Sequence, residues 1–114
     1  MVMSMDVRMI RGVAILDLRG NCLDDRNFNL AEQVRQLLAS GEKRILVNLS
    51  SADDVSGMYG FGNVVRAYTA CQKEGGELRL IKPRKQFRTV LQYARMTSIL
   101  AVYSDEDEAL ASFK

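Results

Sequence analysis

At 114 residues the chain has room for one domain, spanning 1–114, whose folding would bury roughly 60% or somewhat more of the surface of the unfolded chain. Hydrophobic residues at 47%, charged residues at 26% and a net charge of +2 describe an ordinary globular composition without a whole-molecule field that would recruit nucleic acid. Histidine is absent, which removes Ser-His-Asp and Cys-His nucleophile systems, histidine metal sites and the usual general base; no catalytic residue is assigned and no enzyme is expected.

Met3, Met5, Val7 and Met9 alternate with Ser4, Asp6 and Arg8, a period of two that predicts a strand with one buried face. Val13 to Arg19 forms a second strand, and Arg11-Gly12 between them suits a tight turn, so the two pair as an antiparallel hairpin. From Asn27 the spacing turns helical, with Leu30, Ala31, Val34, Leu37 and Leu38 on one face and Ser40-Gly41 at the end. Ile45-Leu46-Val47 lacks polar alternation, as a strand covered on both faces does. Phe61, Val64, Val65, Tyr68 and Cys71 define the next amphipathic helix, opened by Gly60-Phe61-Gly62 and closed by Gly75-Gly76. Leu78 to Ile81 is a strand, and Pro83 suits the first turn of a third helix bearing Phe87, Val90, Leu91 and Ala94. Ile99 to Tyr103 reads as a short last strand, and Ser104 with Asp107 as the cap of a final helix. The order β-β-α-β-α-β-α-β-α predicts an α/β fold: a mixed, mainly parallel sheet with an N-terminal hairpin and about four helices packed against it.

Cys22 and Cys71 form no Cys-x-x-Cys pair, which argues against a zinc site, a thioredoxin-type motif or a disulfide framework; both are expected to be reduced and structural. The N-terminal residues lack the basic start and apolar stretch of a signal peptide, and no apolar run is long enough to span a membrane, so a cytoplasmic location is expected by default, without direct membrane insertion. Gly60-Phe61-Gly62 lacks the third glycine of a dinucleotide fingerprint and the Gly-Lys-Ser/Thr ending of a P-loop, and reads as a helix start needing close approach. The acidic pairs Asp24-Asp25 and Asp53-Asp54 are expected to cap helices rather than hold a divalent ion. Lys82, Arg84, Lys85, Arg88 and Arg95 make a basic helix face without the aromatic pattern of nucleic-acid binding, so nucleic acid is not an expected partner. No cofactor or metal is assigned.

The order of elements and several strings together resemble the STAS domain of bacterial anti-sigma-factor antagonists, a domain also found at the end of sulfate transporters. These strings are Ile15-Leu16-Asp17-Leu18-Arg19-Gly20 leading to Leu23-Asp24, Arg44-Ile45-Leu46-Val47-Asn48-Leu49, Gly60-Phe61-Gly62, Gly75-Gly76-Glu77-Leu78-Arg79-Leu80 and Asp105-Glu106-Asp107-Glu108-Ala109-Leu110. In that family the loop after the third strand resembles Asp-Ser-Ser-Gly-Leu-Gly, and its serine is phosphorylated by a partner anti-sigma factor that is also a kinase. Anchored on Gly60-x-Gly62 and Gly75-Gly76, the resemblance puts Gly57 at the aspartate, Met58 at the phosphorylated serine and Tyr59 at the second serine. A slipped alignment matches Asp54-Val55-Ser56-Gly57-Met58 instead, at the cost of three inserted residues, and keeps Ser56 as a candidate phosphosite. The anchored alignment is preferred because it needs no insertion.

The resemblance implies a regulatory, non-enzymatic domain that binds an anti-sigma factor of kinase-like fold through residues 23–27, residues 50–62 and the exposed side of the following helix. Asp24 is the family-matching acidic position; Ser56, Gly57, Met58, Tyr59 and Asn63 are assigned to the partner surface by position. The alternative is a structural subunit of a larger STAS assembly or membrane-transport complex, with homo-oligomerisation one form of it. A small-ligand sensor using the helix start is a third reading, disfavoured by the missing phosphate motif.

Overall fold

The computed structural model describes residues 3–113; Met1, Val2 and Lys114, at the ends of the expected 1–114 domain, lie outside the described residues. β1 (Ser4–Ile10) and β2 (Val13–Gly20) pair antiparallel, with Ile10 opposite Val13. Arg11 and Gly12 between them have φ of 53° and 77°. This is the left-handed pair of a type I′ turn, whose twist matches the strands it joins. Then follow α1 (Leu30–Ala39), β3 (Arg44–Ala52), α2 (Met58–Lys73), β4 (Glu77–Ile81), α3 (Lys85–Tyr93), β5 (Val102–Tyr103) and α4 (Glu106–Ser112). The element order and the mixed, mainly parallel sheet are those the sequence predicts.

The sheet runs β1-β2-β3-β4-β5, with β2 to β5 parallel. Each crossover advances the chain one strand in the same direction, and right-handed crossovers repeated in one direction put their helices on one face. Accordingly Val34 of α1, Phe61 and Val64 of α2, and Phe87 and Leu91 of α3 share one core with Leu16, Val47 and Leu80. On the opposite face α4 and the residue after it place Ala109, Leu110 and Phe113 against Val13, Ile15, Leu46 and Ile81. Covered on both sides, β2 and β3 have no solvent face to mark with polar alternation.

Beyond α4 the second face is polar. Asp17, 8% exposed, accepts hydrogen bonds from Arg8 Nη2 at 3.0 Å and Asn48 Nδ2 at 2.7 Å. The same Arg8 reaches Glu106 Oε1 at 2.7 Å, so one guanidinium ties β1 to β2 and α4. Burial pushes the Asp17 carboxyl up, but the hydrogen bonds from Arg8 and Asn48 and the nearby arginine charges outweigh it and hold the group below its ordinary value.

Four local expectations are corrected. The alternating face of β1 was expected to be buried; Met3 and Met5 do pack on the core, but Val7 is 46% and Met9 51% exposed. β1 is the outermost strand, and the crossover helices lie over the strands they connect, which start at β2. Pro83 precedes α3 instead of entering its first turn, with Arg84 as N-cap. The cap of α4 is Asp105, whose side chain accepts from Asp107 N at 3.1 Å, not Ser104. The last strand is only Val102–Tyr103, because Ile99 N and Leu100 N bond back to Met96 O in a turn.

Candidate functional site

The loops after β2 and β3 leave the same end of two parallel strands, with Gly20 opposite Ala52 in the register, so residues 21–29 and 53–57 meet there. Asp24 Oδ2 accepts from both Ser56 N and Ser56 Oγ at 2.8 Å, tying the two loops together. The approach depends on Gly60. A Cβ there would fall inside van der Waals contact of Asp24 Oδ1 and Val55 Cγ1, so those side chains, Asp24 being held by its bonds to Ser56, would have to shift. Gly60 is therefore a packing glycine that brings the first turn of α2 against the Asp24 loop.

α2 begins two residues before the Gly60-Phe61-Gly62 string, at Met58, with Gly57 as N-cap and no side-chain cap hydrogen bond. Met58 is 65% exposed at the first helical position, where the N–H groups of the first turn and the helix dipole favour a negative group. Next to it the half-buried Tyr59 ring is flanked by two guanidinium groups, Arg26 at 4.3 Å and Arg66 at 5.5 Å from its centroid, a cation–π arrangement joining the β2 loop to α2.

Asn63 was assigned to the partner surface, and the structure places it elsewhere. It is 1% exposed; its Oδ1 accepts from Leu30 N at 3.1 Å, and its Nδ2 donates to Leu23 O and Phe28 O, each at 3.2 Å. With every polar atom engaged, Asn63 clamps both ends of the loop that carries Asp24. Its role is to position the site.

The acidic residues act as caps and turn formers. Asp54 accepts from Gln86 N at 2.8 Å and Phe87 N at 3.1 Å, so it caps α3 rather than the helix that follows it in sequence. Asp25 Oδ1 accepts from Asn27 N at 2.7 Å. Among the described residues no group of three or more His, Cys, Asp or Glu side chains is arranged to hold a metal ion. In the basic set, Arg84 Nε donates to Ala52 O and Arg88 Nε to Pro83 O, which spends part of their donor capacity on the fold. Cys22 and Cys71 are buried free thiols; burial raises both, Cys71 to about 11, so neither is a thiolate near neutral pH.

A family model of the STAS domain matches residues 4–109. The chain belongs to the STAS domain family. Its fold is also that of solved structures at low sequence identity. A candidate anti-sigma factor antagonist from Thermotoga maritima has a TM-score of 0.77 at 19% identity, over 94% of this chain and 92% of that one. An anti-sigma factor antagonist from Mycobacterium paratuberculosis has a TM-score of 0.75 at 16% identity, over 96% of this chain and 92% of that one. The Bacillus cell fate determinant SpoIIAA in its phosphorylated form has a TM-score of 0.69 at 18% identity, over 97% of this chain and 100% of that one. No curated protein matches.

Sequence reasoning included Arg26 only as part of residues 23–27 and did not single out Arg66; it missed that both pack on the Tyr59 ring of this STAS domain. Arg66 lies seven residues after Tyr59, two helical turns on, and that spacing was a readable signal. Arg26 comes from another loop, and no local pattern announces it.

Proposed function

We propose that this STAS domain is a non-enzymatic regulator of transcription in the bacterial cytoplasm. It binds an anti-sigma factor of kinase-like fold through residues 23–27, residues 53–59 and the exposed start of α2. The observation that carries the reading is Met58 at the first position of α2, exposed beside the Asp24–Ser56 tether. The anchored family alignment puts the phosphorylated serine at this position. A phosphate there would be held by the helix N-terminus while its roughly −2 charge broke an apolar contact over the same loop. A thioether cannot be phosphorylated, and it offers a flexible apolar contact. The module thus binds without the family's serine switch at this position.

Ser56 is the remaining candidate phosphosite. Its hydroxyl donates to Asp24 Oδ2 at 2.8 Å, so a phosphate on it would replace that bond with repulsion between two anions and release the loop tether.

The test is capture with the full chain as bait from its own lysate, with and without ATP, followed by titration of the recovered partner. Recovery of a kinase-like anti-sigma factor is expected. Met58→Asp is expected to weaken it at least tenfold, about 1.4 kcal/mol or more, with Arg88→Ala unchanged. Equal affinity of Met58→Asp and parent would remove Met58 from the interface; phosphate on Ser56 would restore a switch two residues upstream. Recovery of transporter or scaffold subunits instead would replace the antagonist reading with a structural one.

A further inference from the structure

We propose that β1 is a pairing edge for a second copy of this chain, forming a two-fold antiparallel ladder centred on Val7. Among the described strands β1 pairs with β2 alone, over its whole length and without a bulge. The two-residue turn makes Ile10 and Val13 a hydrogen-bonded pair, so Ile10, Arg8, Asp6 and Ser4 spend their backbone groups on β2. The N–H and C=O groups of Met5, Val7 and Met9 therefore point to the open edge. Of the devices that usually blunt an edge, β1 has charged side chains, Asp6 and Arg8, but no proline and no bulge, and it spans seven residues.

The strand's own sequence selects the occupant. In a two-fold antiparallel pair centred on Val7, Met5 of one copy faces Met9 of the other and Val7 faces Val7, all on the helix-side face where Val7 and Met9 lie exposed. On the opposite face Asp6 comes opposite Arg8 of the other copy twice over, at the non-hydrogen-bonded positions where side chains come closest. Arg8 keeps its bonds to Asp17 and Glu106 within its own copy, so it meets Asp6 with an already shared charge, and the register is selected chiefly by avoiding like side chains face to face. Moving the centre one residue towards the N-terminus sets Asp6 against Asp6; moving it one residue the other way sets Arg8 against Arg8. Of these three registers, only the one centred on Val7 matches opposite charges. Asp6, whose side chain is 65% exposed and, among the described residues, pairs with the exposed Arg19, is open to this contact.

A seven-residue ladder is a small interface, so self-association belongs in the micromolar range or weaker. Sedimentation velocity on the full chain, from about 5 µM to about 500 µM, is expected to show a monomer passing to a dimer with concentration. Val7→Pro deletes the central outward N–H without touching the ladder to β2. Asp6→Arg sets like charges against Arg8 of the other copy. Each is expected to raise the dissociation constant at least tenfold with a native circular dichroism spectrum. Should Val7→Pro not fold, Asp6→Arg decides alone, because that side chain is exposed and its change leaves the backbone untouched. A chain that stays monomeric over the whole range leaves the edge to another protein's strand or to none. That result overturns the proposal, as does a dimer that Asp6→Arg does not weaken. Both readouts are independent of any anti-sigma factor, since Met58 lies on α2 and not on β1.

Discussion

Asn63→Asp isolates the clamp that holds the Asp24 loop. The change is isosteric, so packing stays constant while a double donor becomes an acceptor facing Leu23 O and Phe28 O, each 3.2 Å from the present amide nitrogen. At pH 7 the new carboxylate would sit at a position 1% exposed, with Leu30 N its one remaining donor. An uncompensated buried charge costs about 3–5 kcal/mol. For 114 residues, with an unfolding entropy near 2.1 cal/mol/K per residue, that lowers Tm by roughly 12–20 °C. Burial raises the folded-state pKa of the introduced carboxyl above its unfolded value, so the deficit is small below about pH 4, grows as pH rises and levels off above the folded pKa. When protonated, the group donates to one of the two carbonyls and recovers part of the clamp. Thermal denaturation followed by circular dichroism at about pH 4 and pH 7, against the parent at each pH, measures the difference. Asn63→Ala serves as a reference that carries no charge to titrate. A Tm at pH 7 within about 2 °C of the parent, or an equal deficit at both pH values, would refute the reasoning.

Gly60→Ala drives a methyl into Asp24 and Val55 and is expected to destabilise by about 1–3 kcal/mol. Gly62→Ala meets only the flexible Arg66 side chain at 3.2 Å and is expected to leave Tm unchanged or raise it through helix propensity; equal melting of the two variants would show that residue 60 is not a packing glycine. Asp54→Ala uncaps α3 and should cost about 1–2 kcal/mol in urea denaturation, whereas Asp53→Ala, which lacks that contact, should cost little. The Asp17 carboxyl is held below its ordinary value in the fold. Its contribution is therefore present above about pH 4 and lost as pH falls further; Asp17→Asn should flatten that part of the stability curve, and an unchanged acid limb would show that other carboxylates govern it.

Much of the fold was legible because local pattern and final environment agree. The 3.6-residue spacing of Val64, Val65, Tyr68 and Cys71, the uninterrupted Ile45-Leu46-Val47 and the Arg11-Gly12 turn each report a local demand that the tertiary structure leaves in force. Some departures are local shifts of a residue or a turn, as at Pro83, Asp105, Ile99 and Leu100; the larger ones come from distant elements. The alternation in β1 is real, but topology put the strand at the rim, where alternation no longer means burial. Asp54 capped a helix more than thirty residues away, an acceptor relation that a search for caps beside their own helix cannot find.

The sequence by itself determined the number, type and order of the elements, because hydrophobic periodicity and turn chemistry are local. It also determined, through its ordered strings, the STAS resemblance that residues 4–109 bear out. Only the tertiary structure decided which residues make the loop surface. It drew Asn63 inward as a clamp, set Met58 outward at the start of α2, and stacked Arg26 and Arg66 on Tyr59. The physical reason is that two loops far apart in sequence leave the same end of adjacent parallel strands. Their register, not their sequence spacing, sets which side chains meet.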